Sequence, residues 1–98
     1  MAERNTILAA QLRAGRALVK MEQQTLCDRS GVSIATLRRM EAGDGPVRGN
    51  YGNVAAVVAA LEAAGVEFTN GSQPGVRLRS PTADKAIPPD ELTAENDG

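Results

Sequence analysis

Between residues 6 and 20 the apolar side chains Leu8, Leu12, Ala17 and Val19 recur at roughly helical spacing, which predicts an amphipathic helix capped by Asn5 or Thr6. A second, short helix is predicted over 23–30. It must end near Gly31, because glycine tolerates the left-handed backbone that a tight exit needs. Ser33 can cap a third helix whose inward positions, Leu37 and Met40, lie three apart. That helix runs to Glu41 or Ala42, where Gly43-Asp44-Gly45-Pro46 stops it. After the loop GDGPVRGN, a fourth helix is predicted with Tyr51, Val54, Val57, Val58 and Leu61 on one stripe and alanines filling much of the rest, ended by Gly65.

Beyond Gly65 the period falls to two. Val66 and Phe68 alternate with Glu67 and Thr69, then Val76 and Leu78 alternate with Arg77 and Arg79, so the stretch reads as two antiparallel strands joined by a loop over 70–75. Residues 80–98 hold three prolines, many charges and few apolar side chains, and are expected to be disordered. The predicted architecture is therefore mostly α: a helical body over 1–64, a β-hairpin over 65–79 and an acidic tail over 80–98.

Ninety-eight residues suit one domain with a small core. A single cysteine, Cys27, rules out an internal disulfide, and the absence of histidine removes the commonest metal ligand and the commonest neutral-pH base. Catalytic residues, metals and cofactors are accordingly not expected. The N-terminal MAERNTIL lacks a secretory pattern and the longest apolar run, Val54 to Leu61, is too short to span a bilayer, so a cytoplasmic protein with no membrane partner is expected. The net charge of -1 hides an asymmetry: residues 1–79 carry ten of the eleven Lys/Arg and seven of the twelve Asp/Glu, +3, and residues 80–98 carry -4. A modestly basic body is compatible with a polyanionic partner.

Two short helices joined by a glycine turn form an arrangement in which one helix can enter a DNA major groove while the other crosses the backbone. The side chain at their crossing must be small, which Cys27 satisfies, and Leu26, Val32, Leu37 and Met40 fall where apolar contacts would lock the pair. Residues 11–79 resemble the helix-turn-helix regulators of the phage-repressor or Cro/CI type, the XRE family. The family pattern L-S-Q-x-x-L-A-x-x-x-G-V-S-x-x-T-I-x-x-x-E-x-G corresponds to Met21 through Gly43, with Gln23, Leu26, Gly31, Val32, Ser33, Thr36, Glu41 and Gly43 matching as they stand. Glu22 departs from the usual serine or threonine cap, and Cys27 replaces the usual alanine. The resemblance implies a four- to five-helix, lambda-repressor-like DNA-binding domain, and a sequence-specific transcriptional regulator of double-stranded DNA, a repressor in the expected case.

It also implies residue roles. The family's base-reading positions fall on Ser33, Ile34, Ala35 and Arg39. Arg39 can bond guanine O6 and N7 together, with phosphate contact and plain solvation as competing readings. Ile34 and Ala35 would touch a thymine methyl, a core role being the competing reading for Ile34. Contacts to phosphate are expected from Gln23, Thr36 and Arg38, from Arg48, Gly49, Asn50 and Tyr51 in the loop leading into the fourth helix, and from Arg13, which is equally readable as a solvated helix residue. The resemblance places Arg16 and Glu41 where an ion pair ties the first helix to the end of the third. Val66, Phe68, Val76 and Leu78 must pad the helices of their own chain or meet a second copy. The expectation adopted is a homodimer through the hairpin, reading a palindromic site with recognition helices about 34 Å apart. A protein-binding module, such as an antitoxin or antiactivator that occupies a partner through the acidic tail, is the alternative.

Overall fold

The computed structural model describes residues 7–70 and 72–79. The expected caps Asn5 and Thr6 and the tail at 80–98 lie outside the described residues. Four helices, α1 (Ala9–Leu18), α2 (Gln23–Ser30), α3 (Ile34–Glu41) and α4 (Tyr51–Ala63), precede two strands, β1 (Val66–Thr69) and β2 (Gly75–Leu78). The strands form an antiparallel hairpin in the register Val66 opposite Leu78 and Thr69 opposite Gly75. No described helix is long and apolar enough to cross a membrane.

Local chemistry sets most boundaries. Ser33 is extended and its Oγ accepts the N–H of Thr36 at 3.2 Å, so α3 starts where a hydroxyl can satisfy a free amide. Asn50 does the same for α4, accepting from Asn53 N–H at 2.8 Å. Gly31 closes α2 at φ 79, a conformation that costs other residues about 1–2 kcal/mol. Helix α1 departs from the expectation at both ends. It begins after Leu8, whose N–H donates to Gln11 Oε1 at 2.8 Å, and it ends at Leu18 rather than Lys20. Lys20 sits at φ 55 in the turn that follows.

Leu12, Leu26, Leu37, Met40, Val57, Leu61 and Val66 are fully buried and bind all four helices and the first strand into one core. Each such side chain contributes about 1.5–3 kcal/mol of transfer free energy. Val66 packs on α1 because Gly15 lets it approach: a Cβ at position 15 would stand 3.2 Å from Val66 Cγ1. Of the four residues assigned to a dimer interface, this removes Val66. Val66 is buried by its own chain, Phe68 and Val76 pack half-buried against the same core, and only Leu78, 55% exposed, faces out. The hairpin needs no second copy to shelter it because α1 and α4 already do.

Gln11, which sequence spacing does not single out, fastens the hairpin. Its Nε2 donates to the carbonyls of Thr69 and Gly75, both at 2.9 Å, across the last pair before the hairpin loop. A polar side chain on a buried helix face carries no sequence signal for partners 58 and 64 residues away.

Tyr51 also departs from its predicted stripe. It is 86% exposed, while Val57 and Leu61 are buried and Val54 and Val58 half-buried. The stripe reading fails because α4 is apolar on nearly every side, so a single buried face cannot be picked from its pattern.

Candidate nucleic-acid interface

Helices α2 and α3 meet across Gly31, Val32 and Ser33. Leu26 and Cys27 of α2, Val32 of the turn, and Leu37 and Met40 of α3 are all buried together. Cys27 is 5% exposed, and burial pushes its thiol above the ordinary value, with Asp28 adding to the rise and Arg38 opposing it. A neutral buried thiol is a packing element.

The end of α3 is fixed by a charged network. Arg16 Nε donates to Glu41 Oε2 at 2.6 Å and Arg16 Nη2 to Glu41 Oε1 at 2.8 Å, a bidentate pair whose carboxylate side chain is 4% exposed. Arg16 Nη1 also donates to the Met21 carbonyl at 3.1 Å, and Gln23 Nε2 donates to Glu41 Oε1 at 2.9 Å. One carboxylate at the end of α3 thereby holds α1 and the first residue of α2.

Two residues expected to contact phosphate, Arg13 and Gln23, also take part in this network. Arg13 Nη1 donates to the carbonyls of Glu41 and Gly43, satisfying groups the helix end leaves free. Its Nη2 also lies 3.9 Å from Asp44. Gln23, half-buried, spends an amide hydrogen on Glu41.

The outward side of α3 is different. Leu37, Met40 and Glu41 face in, and Ala35, Arg38 and Arg39 are exposed. Ala35 and Arg39 lie one turn apart on the same stripe. Ser33 is exposed, but its hydroxyl is engaged, accepting from Thr36 N–H and donating to Thr36 Oγ1 at 3.0 Å. Ile34 is half-buried against the core, so the competing core reading accounts for part of its surface and only the remainder faces out.

The loop after α3 is pinned beside the start of α1. Ala9 N–H donates to the Gly45 carbonyl and Val47 N–H to the Ile7 carbonyl, each at 2.9 Å. Arg48, Gly49, Asn50 and Tyr51 then follow, all exposed, with Gly49 at φ 133 over Met40 and the Asn50 side chain committed to the α4 cap.

Among the described residues, Lys20, Arg29, Arg38, Arg39 and Arg48 are exposed and enter no ion pair or hydrogen bond through their side chains. Arg38 and Arg39 on α3 and Arg48 in the loop thus each offer a free, exposed guanidinium group. Chemically, such groups suit phosphate oxygens and the acceptor edge of guanine. Lys20 and Arg29 are free as well, and only a basic residue count would have drawn attention to them. Comparison with protein-family models and with curated proteins returns no match.

Proposed function

We propose that this chain is a sequence-specific double-stranded DNA-binding regulator with a lambda-repressor-like helix-turn-helix domain, acting as a homodimeric repressor on a palindromic operator. The observation that carries the reading is the division of labour around α3. Its inner side is locked by Glu41, Arg16, Gln23 and Arg13, while Ala35, Arg38 and Arg39 stand in solvent with no partner among the described residues. A helix held this rigidly and left cationic outside suits a major groove.

In this reading Arg39 is the base reader, Ala35 and the exposed part of Ile34 meet thymine methyls, and Arg38 and Arg48 meet phosphates, with Thr36 and the amides of Gly49 and Asn50 setting register. The half-site then depends most on one guanine and neighbouring thymines. The test is to select binding sites from random DNA and then titrate salt against the selected site and a scrambled one. Selected DNA should bind about a thousandfold more tightly, with log affinity falling steeply as log salt rises. Equal affinity for every sequence rejects the function.

A further inference from the structure

Helix α4 is fully covered on one side and only partly on another, where Val54 and Val58 are half-buried and Tyr51, Ala55, Ala59 and Glu62 are exposed. Val57 and Leu61 are fully buried against the core. On another side Tyr51, Val54, Ala55, Val58, Ala59 and Glu62 line an open groove of about 410 Å³, with Ile7 on its edge. Tyr51, Ala55, Val58 and Glu62 are spaced four, three and four apart, the spacing of a helix-to-helix seam. Apolar surface left facing water along a seam of this kind marks an interaction site.

The seam is complementary to itself. If a second copy lay antiparallel on it, with the twofold axis midway between positions 56 and 57, Tyr51 would face Glu62, Val54 would face Ala59, and Ala55 would face Val58. Each large aliphatic then meets an alanine, which lets two helices approach closely. The two polar ends also meet, a phenolic hydroxyl against a carboxylate, and that carboxylate comes to the N-terminal end of the partner helix, where negative charge is favoured. The acidic residues 80–98 of the same chain would instead bring like charge to Glu62.

We infer that α4, not the hairpin, is the surface through which two copies of this chain associate, antiparallel about an axis between positions 56 and 57. This deepens the DNA-binding reading, on which its biological sense rests, but the interface is read from α4 alone.

The experiment is sedimentation of the full chain without DNA. The wild type should be dimeric at about 100 μM or below. Ala55 and Ala59 are exposed, so Ala59→Arg and Ala55→Arg should match the wild-type melting curve when both are diluted until monomeric, while weakening the dimer about a hundredfold, and Leu78→Glu on the hairpin should leave it within about twofold. Register is read by charge exchange. Glu62→Lys should weaken association about tenfold, and the double variant Tyr51→Glu with Glu62→Lys should restore most of it, because these positions meet only across copies.

A monomeric wild type, an undisturbed dimer in Ala59→Arg, a dimer broken by Leu78→Glu, or no restoration by the charge exchange would each overturn the inference. A chain that dimerises this way yet ignores DNA sequence upholds the interface and rejects the proposed function. A sequence-specific binder that fails these tests does the reverse.

Discussion

Arg13 and Arg16 lie on α1 with their guanidinium groups bonded to the end of α3, whereas Arg38 and Arg39 lie on α3 with theirs in water. The residue type is the same, and what differs is what each side chain can reach. The α1 pair finds the carboxylate and the unsatisfied carbonyls at the end of α3, and the α3 pair finds nothing on its own chain among the described residues. Charge alone therefore says little about a basic residue's job. Whether an acceptor waits within the fold decides between architecture and recognition.

The sharpest way to break this comparison is Arg16→Ala. It strands Glu41 in the interior and should cost about 3–5 kcal/mol of stability, read as a large fall in melting temperature. An unchanged melt would place Arg16 with the outer arginines. Arg39→Ala should do the opposite, leaving the melt within about 0.5 kcal/mol while removing about 1–3 kcal/mol of discrimination at one base pair of a selected site. If Arg39→Ala lost affinity evenly on all sequences, Arg39 would be a phosphate contact. Gly31→Ala tests the hinge between the two regions: φ 79 there should make it cost about 1–2 kcal/mol in denaturant unfolding, and a neutral outcome would mean the turn relaxes. The smallest expected change belongs to Arg38→Ala, which should reduce the slope of log affinity against log salt by about 1 without altering site preference. A changed preference would move Arg38 among the base readers.

Much of the fold was legible because its signals are local. Ser33, Gly31 and Gly65 mark ends through hydrogen bonds or dihedrals within a few residues, and the change of period after Gly65 marks the hairpin. The start of α1 was misplaced because its cap is the N3 glutamine reaching back to the Leu8 N–H, half of a capping box whose usual Ser or Thr is here a leucine. Within the candidate site Ala35, Arg38, Arg39 and Arg48, all exposed, were named through the resemblance to the phage-repressor type of regulator. Arg13 and Gln23 did not, since their partners at Glu41 lie 28 and 18 residues away and appear only once the helices pack. The hairpin's apolar row was read as surplus because a sequence shows its alternation but not the cleft beside Gly15 that receives Val66.

The Glu41 carboxylate, taking hydrogen bonds from Arg16 on α1 and Gln23 on α2 at the end of α3, has a consequence for motion. Opening any of the three helices would expose the others to a buried charge without its partners, so they should open together, as one cooperative unit in amide exchange. The amides of α3 should then exchange as slowly as those of α1, although α3 is short and carries the exposed arginines. A helix that enters a groove already held in place has little order left to acquire there, and less of its binding free energy is lost in becoming rigid.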